Sequence, residues 1–156
     1  MSAASAQLVV FQIEDRRLAL TSDSVLELVR AVAVTALPGA PIGVDGVIDR
    51  RGTLVPVFDL RPRLALPSVP VRASEQFIIC EVALVGTIAL RTDRVLELRA
   101  DCDLAALPAG SSSDPIARSL LRLPDGVVVV CDLGAVLTSG EIEQLARALD
   151  ALTRQA

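Results

Sequence analysis

The sequence predicts a mostly β protein made of two copies of one small barrel-like unit, followed by a C-terminal helix. Three observations support this: an internal repeat, many short apolar runs separated by turns that contain Gly or Pro, and one amphipathic segment at the end of the chain. Of the 156 residues, 52% are hydrophobic but only 2% are aromatic, so Val, Leu, Ile and Ala must fill the core. This length is typical of a single domain.

The repeat consists of five pairs of similar segments that occur in the same order in both halves. The clearest pair is the string Val-Leu-Glu-Leu, at 25–28 and again at 95–98. The other pairs are 7–13 with 76–82, 18–20 with 88–90, 36–38 with 106–108, and 54–60 with 127–133. Five collinear matches indicate two copies of one structural unit. Asp59 and Asp132 occupy the same place in both copies, and we expect each to bond nearby backbone amides as part of the fold.

Short runs rich in Val, Ile, Leu and Phe predict the strands of each copy. In the first copy, 8–13 and 18–20 are joined by a charged turn at 14–17. Residues 68–74 are expected to connect the two halves, and 109–114 to form a mobile loop.

Residues 44–48 and 54–58 predict a hairpin closed by Arg51-Gly52-Thr53. Gly52 supplies the positive φ that a tight turn needs. Pro56 lies inside the second run and favours an edge strand or a bulge, because proline cannot donate to a ladder.

The last element is an amphipathic helix predicted over 138–154. Its start has the capping-box form Thr138-x-x-Glu141, and an apolar stripe follows at helical spacing. The stripe consists of Ile142, Leu145, Leu149 and Leu152. The stripe favours packing over the barrel surface, with a partner-binding helix as the alternative.

The composition excludes several kinds of chemistry. The chain contains no His, which excludes Ser-His-Asp and Cys-His catalysis and zinc sites that use His. All 15 basic residues are Arg, so no lysine is available for a Schiff base or a P-loop. A net charge of −4, without Tyr or Trp to stack on bases, argues against nucleic acid and anionic membrane surfaces as partners.

The cysteine pattern and the N-terminal segment predict a cytoplasmic protein. Cys80, Cys102 and Cys131 are odd in number and widely spaced, as expected for buried thiols in a reducing compartment. We find no secretory signal and no apolar stretch long enough to span a bilayer. We expect neither a cofactor nor a metal site.

Positions where the two copies differ are free to specialise, and Arg51 is the best candidate among them. The second copy has Pro124-Asp125 where the first has Arg51-Gly52. The alternative interpretation of Arg51 is a solvated hairpin arginine. Glu27 has a weaker case on this test, because it recurs as Glu97.

The motif around this hairpin resembles the CheW family of bacterial chemotaxis coupling proteins. The residues that carry the resemblance are Val25-x-Glu27-Leu28, then Leu37-Pro38-x-x-Pro41, then Gly46-Val47-Ile48-x-x-Arg51-Gly52-x-Leu54-Val55-Pro56-Val57-x-Asp59-Leu60-Arg61. The resemblance implies two five-stranded SH3-like β-barrel subdomains in one CheW-like domain spanning 1–156. It places the subdomains at about 14–66 and 83–137, with strand exchange near 7–13 and 76–82 and the helix at 138–154.

The resemblance also implies a function. Such proteins are non-catalytic adaptors that join the cytoplasmic tip of a chemoreceptor (methyl-accepting) helical hairpin to the regulatory domain of a CheA-type histidine kinase. They sit in receptor arrays at the inner face of the membrane without inserting into it. The kinase contact is expected to be pseudo-symmetric and mainly apolar, with each barrel facing a barrel of the partner.

By the same resemblance, receptor contacts fall on Val25, Glu27, Arg51 and Leu54, and Arg51 forms a charged pair with Glu27. Arg50 and Gly52 are neighbours of this groove. The family commonly has Asn-Leu-Arg-Gly where this chain has Asp49-Arg50-Arg51-Gly52, so Arg50 adds a charge beside the groove.

Three alternatives to this adaptor function stay open. One is a competitor adaptor that occupies receptor or kinase sites without supporting activation. Another is a CheW-like adaptor of a surface-motility or other pathway. The third is a small-molecule-binding or enzymatic β-barrel, which would need a deep polar pocket with convergent carboxylates.

Overall fold

In the computed structural model, which describes residues 5–105 and 116–155, short strands dominate and one helix follows them. The strands are β1 (Ser5–Ile13), β2 (Arg16–Thr21), β3 (Val25–Arg30), β4 (Val44–Arg50), β5 (Thr53–Phe58), β6 (Gln76–Val82), β7 (Gly86–Thr92), β8 (Arg94–Asp103), β9 (Ala117–Leu123) and β10 (Gly126–Cys131), and the helix is α1 (Ser139–Gln155). The predicted mostly β fold with a C-terminal helix is confirmed. The loop predicted at 109–114 and the repeat segment 106–108 lie outside the described residues.

The strands form two five-stranded sheets that exchange hairpins between the copies. The strand order is β8-β1-β2-β10-β9 in the first sheet and β3-β6-β7-β5-β4 in the second. Each exchanged unit is a whole hairpin: β1 and β2 join β8, β9 and β10, whereas β6 and β7 join β3, β4 and β5. The exchange therefore includes β2 and β7 in addition to the expected segments 7–13 and 76–82. The subdomain ranges 14–66 and 83–137, which contain β2 and β7, stay predictions.

Two apolar clusters, one in each sheet, show the duplication residue by residue. In the first sheet the cluster contains Leu8, Val10, Ala19, Leu121, Val128 and Val130. In the second sheet the residues at the repeat-equivalent positions form the corresponding cluster: Phe77, Ile79, Ala89, Ile48, Val55 and Val57. The cluster of the second sheet takes three members from each copy of the repeat, and that of the first sheet takes three from the first copy and four from the second, since Cys102 also belongs to it. The exchange of hairpins therefore makes each sheet's interior depend on both halves of the chain.

Isolated bridges link the two edges of each sheet. Thr35, beyond β3, pairs with Val47 on β4, and Ala105, beyond β8, pairs with Leu120 on β9. β3 and β4 are the edge strands of the second sheet, and β8 and β9 those of the first. In each sheet, a single residue pair therefore connects the chain beyond one edge strand to the other edge strand.

A third apolar cluster lies between the sheets and is covered by the helix. It includes Leu18 and Leu20 from the first sheet, Leu90 from the second, and Leu145 and Ala148 from α1. The predicted capping box is present: the Thr138 Oγ1 accepts from the Glu141 N–H at 3.2 Å, and Glu141 Oε1 accepts from the Thr138 N–H at 2.9 Å. The apolar stripe of α1 thus serves packing.

The hairpin β4–β5 turns through Arg51 and Gly52, with φ of +55° and +87°. Positive φ at both central residues defines the type I′ turn, whose twist matches that of the flanking strands. Pro56 departs from expectation, because β5 lies between β4 and β7 and is no edge strand. Pro56 faces Val47, at a position where the alternation of the ladder requires no donor, and pairing with β7 begins only at Val57.

The aspartates shared by the two copies act as expected. Asp59 Oδ1 accepts from the Arg61 N–H, and Asp132 Oδ1 from the Gly134 N–H, both at 3.0 Å. Asp132 is the N-cap of the short 3-10 helix at 133–135, whereas Asp59 bonds the first residue of the 3-10 helix at 61–64, whose N-cap is Leu60.

Candidate functional site

The residues expected in the receptor groove lie on β3 and on the hairpin β4–β5. Val25 and Glu27 belong to β3, and Leu54 is the second residue of β5. Arg51 and Gly52 form the turn of the hairpin. Val25 and Leu54 are partly buried and both pack against the cluster between the sheets. Their outer surfaces form part of the margin of that cluster.

Glu27 forms its ion pair with Arg50, and the expected pair with Arg51 is not what the structure shows. The reason lies in the turn. Arg50 is the last residue of β4, so its side chain follows the strand alternation toward β3, whereas Arg51 occupies the turn itself. The pair spans the two edge strands of the second sheet. Because the Glu27 side chain is 41% exposed, such a pair contributes only about 0.2–1 kcal/mol.

Arg51 is exposed, and it makes no ion pair with any described residue. Its left-handed backbone disfavours a residue with a Cβ. Asp49 Oδ1 supports the turn by accepting from the Gly52 N–H at 2.8 Å. The turn therefore holds the Arg51 guanidinium at a fixed position on the surface. Arg51 can bind a partner without first breaking an ion pair within the described residues.

Exposed leucines flank this region and were missed from the sequence. Leu26 and Leu28 on β3 are 57% and 45% exposed, and their repeat equivalents Leu96 and Leu98 on β8 are 38% and 67% exposed. β3 and β8 are edge strands. The recurring Val-Leu-Glu-Leu string carried this signal, because its two leucines share one face of a strand.

A buried network of charges, also missed, joins the strands near the end of β7. Arg91 is buried and donates to Glu75 through Nε (2.7 Å to Oε1) and Nη2 (3.1 Å to Oε2). It also donates to Asp45 Oδ2 at 2.9 Å and to the Val69 carbonyl at 2.8 Å. Burial opposes the charged form, but the bonds to Glu75 and Asp45 raise the pKa of Arg91 above its ordinary value.

Asp59 connects this network to a second buried arginine. Its carboxylate lies 3.5 Å from Arg91 and 3.9 Å from Arg61. Burial raises the pKa of Asp59. Arg61 is completely buried and bonds Asp93 at 2.7 Å, while its Nε and Nη1 have no hydrogen-bond partner among the described residues.

Asp93 ties the network to the turn between β1 and β2. Its Oδ2 accepts from the Glu14 N–H at 2.7 Å. Burial acts against ionisation, but this bond and the pairing with Arg61 lower the pKa of Asp93. Because Glu14 precedes β2 and Asp93 joins β7 to β8, the charges link the two sheets.

The comparison of the two copies contained a signal for this network. Arg91 and Arg61 stand where the other copy has Thr21 and Gly134, and Glu75 stands where it has Ala6. Buried charges at positions where the repeat diverges indicate that the two copies have specialised. In the part of the chain that the structure describes, no group of three or more His, Cys, Asp or Glu side chains could hold a metal ion.

The thiols are buried, as expected, and none forms a disulfide. Burial raises the pKa of Cys80 to about 12. Over residues 5–105 and 116–155, no helix has both the length and the apolar character required to cross a membrane.

Comparisons with known proteins agree with this architecture. Residues 7–141 match the model of the CheW-like domain. The chain is 26% identical over 141 residues to the probable chemotaxis protein CheW of Rhizobium etli, covering 88% of this chain and 90% of that protein. It is 32% identical over 113 residues to Protein FrzA of Myxococcus xanthus, covering 71% and 69%.

A solved structure has the same fold. The scaffolding protein TtCheW from Thermoanaerobacter tengcongensis superposes with a TM-score of 0.73 and 22% identity, covering 83% of this chain and 90% of that one. The family model spans the repeat, both sheets and the start of the helix. The chain therefore belongs to the CheW-like domain family.

Proposed function

We propose that this chain is a non-catalytic adaptor that couples the cytoplasmic tip of a chemoreceptor to a CheA-type histidine kinase. The observation that carries the proposal is the CheW-like match over residues 7–141, which includes the whole β4–β5 hairpin. Relatives named as chemotaxis proteins match over most of their length. The adaptor would work in the cytoplasm, held at the inner face of the membrane by the receptor.

The geometry supports receptor docking on β3 and the hairpin. Val25 and Leu54 provide an apolar margin that a receptor helix can cover. Arg51 provides an exposed charge at a fixed position, while the Glu27–Arg50 pair joins the edges of the sheet. Burying Arg51 against a carboxylate of the receptor would then orient the helix, because arginine binds carboxylates through a planar fork of donors.

Binding of a purified receptor hairpin fragment tests the receptor side of this proposal. Arg51→Ala should weaken binding by about tenfold or more, equivalent to about 1.4 kcal/mol. Arg122→Ala is the matched control, since Arg122 is exposed on β9 and lies outside the groove. Equal affinity of wild type and Arg51→Ala, with both proteins folded, would refute the role of Arg51.

A second candidate is an adaptor of another pathway, or one that competes with an activating adaptor. Protein FrzA, whose name does not include chemotaxis, is the most identical of the relatives compared above. In addition, Arg50 engages Glu27, at a position where the family commonly has Leu. Reconstitution of the kinase with the receptor distinguishes an activating adaptor from a competitor. An activating adaptor raises autophosphorylation of the kinase, whereas a competitor lowers the activation produced by another CheW.

A further inference from the structure

The two sheets differ at one end, where the edge strand of one stays paired and that of the other separates. In the first sheet, β8 remains paired with β1 as far as Ala6↔Cys102 and Ser5↔Asp103. In the second sheet, pairing of β3 with β6 ends at Arg30↔Gln76. A single further bond, from the Ala31 N–H to the Glu75 carbonyl at 3.0 Å, precedes the separation.

Buried charge explains why the second sheet opens. Glu75 is the repeat equivalent of Ala6, and its carboxylate is held inside by Arg91. The same carboxylate accepts from the Arg72 N–H, and the Glu75 N–H donates back to the Arg72 carbonyl. This turn directs 71–74 away from β3, so the ladder cannot continue as it does in the first sheet.

The separation leaves a slot, which we define by its lining residues Ala31, Val32, Ala33, Val34, Val71, Arg72 and Ala73. Its volume is about 370 Å³, within the usual range for ligand pockets of about 300–1,000 Å³. Ala31, Val34 and Val71 pack against the apolar cluster of the second sheet, so the floor is apolar. A neighbouring cavity of about 240 Å³ shares Val34 and Val71 with it.

The wall at 32–34 has backbone groups available for pairing. Within the described residues, neither the N–H nor the C=O groups of Val32, Ala33 and Val34 form a hydrogen bond. Beyond them, Thr35 is again paired with Val47 in both directions. An open stretch between paired residues is a template for one added strand, since an extended peptide gains main-chain bonds there.

The side chains around the slot indicate the chemistry of that peptide. The walls carry Ala and Val, so they favour apolar side chains, and the volume of about 370 Å³ favours small ones. Arg30 and Arg72 are exposed and form no ion pair within the described residues, and Arg72 attracts Asp93 only at longer range. Two unpaired guanidinium groups beside an apolar floor favour acidic residues at the ends of the bound segment.

We propose that this slot binds an extended segment of a partner protein, with small apolar residues at its centre and acidic residues at its ends, added as a strand along 32–34. The proposal is independent of the adaptor function proposed above and of Arg51.

The probe is a fluorescein-labelled peptide, Glu-Asp-Val-Ala-Val-Ala-Val-Asp-Glu, followed by anisotropy with the full chain. Ala73→Trp should fill the slot and abolish binding, whereas Ala100→Trp on the exposed face of β8 should not. Arg72→Glu should weaken binding by at least about tenfold, and Arg122→Glu should leave it unchanged. Arg51→Ala should also bind normally, which separates this proposal from the receptor groove.

Two further measurements test the mode of binding. The same peptide methylated on its central backbone nitrogens should fail to bind, because it keeps the side chains but loses the donors. Hydrogen exchange at the amides of 32–34 should slow when the unmodified peptide is bound. The proposal is overturned by absent binding, by equal binding to Ala73→Trp, or by sedimentation showing a dimer of this chain that Ala73→Trp dissociates, which would place a second copy in the slot.

Discussion

Arg51 combines an unfavourable backbone conformation with an exposed, unpaired charge. Its φ of +55° lies in the left-handed region, which Asn adopts more readily than Arg. Arg50 beside it is the residue that closes the sheet onto Glu27. The structure therefore shows no contribution of the Arg51 side chain to the stability of the fold. An arginine in this conformation agrees with a role in binding.

Arg51→Asn should stabilise the fold while weakening receptor binding. Relief of the left-handed arginine should raise the free energy of unfolding by about 0.5–1 kcal/mol. Urea denaturation monitored by circular dichroism measures the change, with Arg122→Asn in strand β9 as the control that should bring no gain. A loss of stability in Arg51→Asn would contradict this account of the turn.

Asp93 should contribute to stability in a pH-dependent manner. Its folded-state pKa is below the ordinary value of 3.8, because the Glu14 N–H and Arg61 outweigh the effect of burial. A lowered pKa means that the unfolded chain takes up the proton first. The contribution of Asp93 is therefore complete above its ordinary pKa and is lost as the pH falls through the folded value.

The comparison of wild type with Asp93→Asn measures this contribution. Their difference in unfolding free energy should be constant near neutral pH and should shrink once the pH falls below 3.8. Asp125→Asn, at an exposed carboxylate, serves as control. A difference that grows on acidification would contradict the assigned direction.

At the scale of elements, most of the fold follows from local patterns. The capping box at Thr138, the two-residue hairpin turn and the alternating strands are all recognisable from neighbouring residues. The C-terminal end of β3 cannot be recognised in this way. Its termination at Arg30 depends on Glu75 and Arg91, which are distant in sequence. The expectation that Pro56 lies on an edge strand is wrong for the same reason, because the position of a strand in its sheet depends on long-range pairing.

Thr138→Ala should destabilise the protein through the start of α1. The substitution removes the acceptor for the Glu141 N–H and should cost about 0.5–2 kcal/mol. Thr153→Ala, near the exposed end of the same helix, should have a smaller effect. Thermal unfolding of the two variants provides the comparison, and equal loss would exclude the cap as the cause.

For the whole molecule, the exchange of hairpins makes the halves interdependent. Each sheet takes two strands from one copy of the repeat and three from the other. The buried Arg61 also connects the sheets, through the partly buried Asp93 that accepts from the Glu14 N–H. Neither half contains a complete sheet or a complete apolar cluster, so neither buries enough surface to fold independently.

Dividing the chain after the exposed Ser68 tests this interdependence. The fragments 1–68 and 69–156 should each be unfolded alone and should regain β structure when mixed, because only together do they complete both sheets. Circular dichroism and size-exclusion chromatography report the outcome, with the intact chain as reference. A fragment that folds cooperatively by itself would disprove the requirement for exchange.

Reading the amino-acid sequence is sufficient to predict the duplication, the strand-rich fold and the helix cap, and to recognise the family motif. These depend on local periodicity and on repeated strings, which can be compared without coordinates. Three features become visible only in the folded chain: Glu27 pairs with Arg50, two arginines are buried among carboxylates, and one sheet opens into a slot. Those features depend on side-chain direction at a turn and on contacts between distant segments, and neither is encoded in the pattern of neighbouring residues.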